Sequence, residues 1–119
     1  MSKVLVVDDT VSEMELISEY LRDSGYTVIG TTDAKEALGK IRQHQPHVVV
    51  TDLVMPGMSG LELCRSIKKN PDTNQLPIVV CTSKDQNLDR MWAMKQGADV
   101  YITKPFSREQ LGCAIRSVE

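Results

Sequence analysis

The segment VVVTDLVMPG, Val48 to Gly57, opens with three β-branched apolar residues and breaks at once into an aspartate and a proline-glycine turn. A run this short reads as a strand, and its unbroken apolar character predicts burial on both faces. Similar runs flank it: Val4 to Val7 ahead of Asp8 and Asp9, Thr27 to Gly30, Ile78 to Cys81 ahead of Thr82, and Val100 to Thr103 ahead of Lys104 and Pro105. The runs at Val4, Val48 and Ile78 are continuously apolar, which predicts central places in a parallel sheet.

Helical periodicity fills the intervals. Thr10 to Ser24 is closed by Gly25, and Asp33 to Gln43 begins with Asp33 and Glu36 at capping-box spacing. Ser59 or Gly60 opens a helix that Asn70-Pro71 stops after Lys69; another runs from about Gln86 to Gln96 before Gly97, and the last from Ser107 to near Val118. Strand and helix thus alternate five times, predicting right-handed crossovers and a doubly wound (βα)5 sandwich of the α/β class. Ligands in such a sheet gather at the carboxyl ends of the strands.

Composition narrows the function. The 119 residues (13.3 kDa) fit a single domain, and 41% hydrophobic with 25% charged residues is an ordinary globular balance. Fourteen Lys and Arg against 16 Asp and Glu leave a net charge of -2, so no basic excess exists for direct nucleic acid binding. No apolar run approaches the roughly 20 residues of a bilayer span, and no leader is apparent; membrane insertion is not expected, and a cytoplasmic protein is. Cys64, Cys81 and Cys113 form no C-x-x-C pair, arguing against disulfides and structural zinc, and read as core residues.

One step past the strands stand Asp8, Asp9, Asp52, Thr82 and Lys104. Each alone has an ordinary reading as a cap, a turn residue or a solvated lysine; their convergence on one sheet edge does not. Three carboxylates within roughly 5 Å repel by about 3 kcal/mol per pair at an effective dielectric near 20, which calls for a counter-charge. Hard oxygen ligands without His or Cys point to Mg²⁺, or Mn²⁺, with an open coordination sphere. Lys104 adds a point charge and Thr82 a hydroxyl, the groups that stabilise a transferring phosphoryl. The chemistry implied is phosphoryl transfer to a carboxylate.

In VLVVDD (Val4 to Asp9), DLVMPGMSGLEL (Asp52 to Leu63), CTS (Cys81 to Ser83) and GADVYITKPF (Gly97 to Phe106), the chain resembles the receiver domain of two-component response regulators along essentially its whole length. The resemblance implies a CheY-like, flavodoxin-like strand order 2-1-3-4-5, with residues 1–119 forming one receiver domain and no effector domain. It implies Asp52 as phosphoacceptor, with Asp8, Asp9, Asp52 and the Val54 main-chain carbonyl holding Mg²⁺. Thr82 and Lys104 would bind the phosphoryl group, and Thr82 with Tyr101 would form the switch, the ring turning inward as the hydroxyl shifts. It further implies a cis peptide before Pro105, phosphate-lifetime tuning at Val54 and Lys84, and close backbone passage at Gly60.

A chain with this resemblance is expected to be a signalling protein rather than an enzyme, phosphorylated by a histidine kinase and presenting a docking face built from the fourth helix, fifth strand and fifth helix. A monomer is expected. KDQNLDRMWAMKQGA, Lys84 to Ala98, is similar to stand-alone PilH-type regulators of pilus and twitching motility, which implies a CheA-like kinase. Trp92 is a candidate docking anchor, with Met91 and Met94 either extending its patch or filling core. The alternatives are a phosphorylation-independent docking module or a phosphate sink for a shared kinase. A phosphohydrolase would want an acidic residue two positions after Asp52, where Val54 stands, and a flavin site a glycine-rich loop after the first strand; both are missing.

Overall fold

The computed structural model describes residues 2–119, and five parallel strands form its one sheet. The elements are β1 (Lys3–Val7), α1 (Val11–Asp23), β2 (Thr27–Thr31), α2 (Ala34–His44), β3 (Val48–Thr51), α3 (Gly60–Lys69), β4 (Ile78–Thr82), α4 (Asn87–Lys95), β5 (Val100–Thr103) and α5 (Arg108–Val118). The strand order is β2-β1-β3-β4-β5, as the resemblance implied. The three continuously apolar strands lie inside the sheet and the more polar β2 and β5 form its edges.

Each strand sends alternate side chains into two apolar layers. Leu5, Val7, Val49, Ile78 and Val80 pack with Ala37 and Ile41 of α2 and with Leu63 and Ile67 of α3. Val4, Val6, Val48, Val50 and Val79 pack on the other side with Ile17 and Leu21 of α1 and Leu111 and Ile115 of α5. Cys64 and Cys81 belong to these layers, and burial pushes the Cys64 thiol up to about 12. Cys113 does not: the buried face of α5 carries Leu111, Ala114 and Ile115, and Cys113 falls off that stripe and is exposed, correcting its reading as core.

The α2 start also departs from its expected form. Asp33 does cap the helix, accepting from Lys35 N at 2.9 Å, but no capping box closes. The Asp33 amide that Glu36 would have accepted from donates instead to Thr31 Oγ1 at 3.2 Å. A complete box forms at α5, between Ser107 and Gln110.

The loop after β3 returns to α3 under a tight steric limit. Gly60 N donates to Leu53 O at 2.9 Å, and a Cβ on Gly60 would collide with the Asp52 carbonyl oxygen and lie 2.7 Å from Leu53 Cα. Backbone atoms cannot yield as a flexible side chain can, so Gly60→Ala should cost about 1–3 kcal/mol and lower Tm by roughly 5 to 10 °C. Gly39, inside α2, has nothing within 4 Å of such a Cβ. Gly39→Ala should therefore raise Tm by a few degrees through helix propensity, about 0.5–1 kcal/mol. Thermal unfolding of both variants checks the pair, and equal shifts would contradict the crowding at Gly60.

Candidate functional site

The carboxyl ends of β1, β3, β4 and β5 deliver the polar cluster. Asp8 follows β1 with no exposed surface, and its Oδ1 accepts from Thr10 N at 3.0 Å. Asp52 follows β3, its Oδ1 held by Leu53 N at 2.6 Å and Val54 N at 3.3 Å. Both backbone clamps leave the second oxygen facing inward, where Lys104 Nζ meets Asp8 Oδ2 at 2.7 Å and Asp52 Oδ2 at 3.0 Å. Lys104 begins the chain after β5 and reaches across β4; its peptide with Pro105 is cis.

A carboxylate that the motifs do not single out completes this set. Glu13, in the first turn of α1, places Oε2 3.2 Å from Lys104 Nζ. Asp8, Glu13 and Asp52 each present an oxygen within 4.8 Å of the others, whereas Asp9, half-buried beside them, is not one of the three. The signal available was a helical one: with Val11 opening α1, Glu13 lies in the turn facing the strand ends, but only the packed position of α1 shows that it reaches Lys104.

Electrostatics derive from the enclosure. Burial holds the Asp8 carboxyl above the ordinary aspartate range, outweighing the lowering by the Lys104 and Thr10 hydrogen bonds. For Lys104, burial alone would lower the ammonium, but hydrogen bonds to Asp8 and Asp52 more than offset it and hold it above the ordinary lysine value. One ammonium thus faces three carboxylates. The trio presents hard oxygen donors of the kind a divalent cation such as Mg²⁺ takes.

Thr82 ends β4, fully buried, with Oγ1 accepting from Lys84 N at 3.3 Å. The carbonyl of Lys84 accepts from the Tyr101 hydroxyl at 2.7 Å, and the Arg90 guanidinium lies 5.0 Å from that ring's centroid. Tyr101 is therefore already turned inward. Lys84 and Val54 have exposed side chains at the rim.

Trp92 is 46% exposed on α4, beside the exposed Leu88 and Met91, with Lys95 Nζ 5.3 Å from its ring centroid. Met94 is exposed as well, so neither methionine fills core. Next to Lys104, Leu16, Ile17 and Tyr20 of α1 and Phe106 line an open, largely apolar groove of about 410 Å³.

Known proteins agree with this geometry. The model for the response regulator receiver domain matches residues 4–116. Protein PilH of Pseudomonas aeruginosa is 36% identical over 118 residues, covering 99% of this chain and 98% of that protein. The alkaline phosphatase synthesis transcriptional regulatory protein PhoP of Bacillus subtilis is 35% identical over 116 residues, 98% of this chain but 48% of its own length. The chemotaxis protein CheY4 of Vibrio cholerae superposes with a TM-score of 0.94 at 31% identity, covering 100% of this chain and 99% of that one. With its acidic cluster, hydroxyl and lysine at the ends of a sheet ordered β2-β1-β3-β4-β5, the chain belongs to the response regulator receiver domain family.

Proposed function

We propose that Asp52 accepts a phosphoryl group from a histidine kinase and that the resulting charge switches a protein-docking face. The observation that carries this reading is the Lys104 ammonium bridging Asp8 Oδ2 and Asp52 Oδ2. Asp52 Oδ1 accepts from backbone amides and Oδ2 lies beside the ammonium, so the carboxylate is held in place at the strand end to attack a phosphoryl donor. The new O–P bond forms as the donor's N–P bond breaks, and the electron pair goes to the imidazole nitrogen, which takes a proton from solvent. The groove beside Lys104 gives a donor side chain an approach.

Asp8 and Asp52, with Asp9 and the Val54 carbonyl at the rim, would hold Mg²⁺, which when bound supplies charge neutralisation for the incoming phosphoryl. Lys104 pairs with the phosphoryl oxygens and Thr82 donates its hydroxyl to them. That movement would take Thr82 Oγ1 from Lys84 N, and Lys84 is the residue whose carbonyl holds Tyr101. The hydroxyl and the loop therefore move together, and the ring, already turned inward, follows through its bond to the Lys84 carbonyl, re-posing the face of α4, β5 and α5. At the start of this loop, the exposed Lys84 ammonium is placed to tune phosphate lifetime, as is Val54 at the other rim.

Likeness to PilH and to a chemotaxis protein supports a motility pathway with a CheA-like kinase. The protein then acts in the cytoplasm as a monomer, with Trp92 as docking anchor.

Incubation with acetyl phosphate and Mg²⁺ should add one phosphoryl mass to the wild type, read by intact mass spectrometry after fast quenching. Asp52→Ala, or EDTA, should abolish it; an adduct surviving Asp52→Ala would move the acceptor elsewhere. A second test uses the Asp8 shift. Its folded value lies above the unfolded one, so its contribution favours the fold below the unfolded value, about 3.9, and is lost as pH rises through the folded value. Asp8→Asn leaves Lys104 paired with Asp52 and Glu13 and should raise the metal-free Tm by a few degrees at pH 7, the gain shrinking toward pH 4. Coincident melting curves at pH 7 would contradict it. Trp92→Ala should leave phosphorylation and Tm nearly unchanged while weakening capture of the phosphorylated protein's target at least several-fold in a pull-down titration; a large Tm loss would mark Trp92 as structural.

A further inference from the structure

Lys104 Nζ has three N–H bonds and three carboxylate partners, Asp8 at 2.7 Å, Asp52 at 3.0 Å and Glu13 at 3.2 Å. The three are not equivalent. Asp8 and Asp52 each have their other oxygen tied to backbone amides at a strand end, so neither can follow the ammonium if it moves. Glu13 stands on α1 with its side chain 43% exposed, on a longer and freer stem. The Lys104 ammonium lies against the Asp8 and Asp52 oxygens that the functional reading gives to a divalent cation. Both cannot occupy that space: two positive centres would repel, and the oxygens of Asp8 and Asp52 would be shared.

We infer that Glu13 is a positioning residue that keeps Lys104 at the site when Asp8 and Asp52 turn to a divalent cation. The ammonium then withdraws toward α1, where Glu13 Oε2 receives it, and remains at the edge of Asp52 where a phosphoryl group arrives. Glu13 thereby favours cation binding indirectly, by giving the displaced lysine an anionic partner. This inference rests on the phosphoacceptor reading above, and Lys104 is the element through which Glu13 acts.

A double-mutant cycle on the full chain, read as Mg²⁺ dissociation constants by titration calorimetry, isolates that coupling. Glu13→Gln should weaken Mg²⁺ binding by about two- to five-fold, the range set by partly exposed ion pairs. Glu13→Asp, which keeps the charge and shortens the reach, should behave like Glu13→Gln. In a Lys104→Met background both substitutions should leave the Mg²⁺ constant unchanged. If Glu13→Gln weakens binding equally with and without Lys104, Glu13 acts as a ligand or a through-space charge and the inference falls. It falls too if Glu13→Gln has no effect in the wild type. Melting curves report whether each variant folds, and because Glu13 is partly exposed on a helix, Glu13→Gln should fold normally. Failure of wild type to bind Mg²⁺ or to gain a phosphoryl mass would overturn the functional reading and this inference together. A phosphorylated, Mg²⁺-binding wild type with an additive cycle overturns this inference alone.

Discussion

The Lys104 ammonium between Asp8 and Asp52 joins residues 96 and 52 positions apart in the chain, and the rest of the site depends on it. Without that cation, two carboxylates buried at the strand ends would face each other in a low-dielectric setting, and each would be driven toward its neutral form. Burial already holds Asp8 above its ordinary value despite the lysine. The fold is not held together by this cluster. Buried ion groups seldom add net stability, because desolvation consumes most of the Coulombic gain. Stability comes instead from the two apolar layers, in which β1, β3 and β4 are buried along nearly their whole length. Those layers hold a set of charges that would not assemble unaided, three carboxylates around one ammonium.

The path from site to surface is short and made of defined bonds. Thr82 sits between the ends of β3 and β5, and its main-chain oxygen accepts from Lys104 N at 2.8 Å. Its hydroxyl holds Lys84 N, and the Lys84 carbonyl holds Tyr101, over which Arg90 stacks. Two hydrogen bonds thus link the Thr82 hydroxyl to the Tyr101 ring of β5, and the Arg90 contact links that ring to α4. On the other side, Gly60 lets the loop after Asp52 fold back on itself, so the Asp52 carbonyl lies against the start of α3. One flank of the site is thus sterically locked while the other is a chain of hydrogen bonds.

How far the amino-acid sequence reaches into this arrangement depends on the range of the physics involved. Strands and helices were legible because apolar periodicity and end signals such as Ser59, Ser107 and Gly97 act within a few residues. So was the gathering of Asp8, Asp52, Thr82 and Lys104, because parallel strands all end on the same edge of a doubly wound sheet. Local competition already blurs that legibility: Asp33 and Glu36 have capping-box spacing, but the Thr31 hydroxyl takes the amide the box needs. Whether Cys113 or Met91 faces inward turned on one position of helical phase, about 100° of rotation, which short amphipathic segments do not settle.

By itself, then, the sequence determined the layer order, the edge where chemistry collects and the residue types that chemistry requires, since all of these derive from periodicity, turn signals and strand polarity. Only tertiary structure decided which charges touch. Glu13 reaches Lys104 because α1 packs on Ile17 and Leu21 at a particular height, and Tyr101 finds the Lys84 carbonyl because the β4 to α4 loop closes over β5. Contacts of that kind are set by the meeting of side chains from separate elements, at distances of a few ångströms that no local pattern encodes.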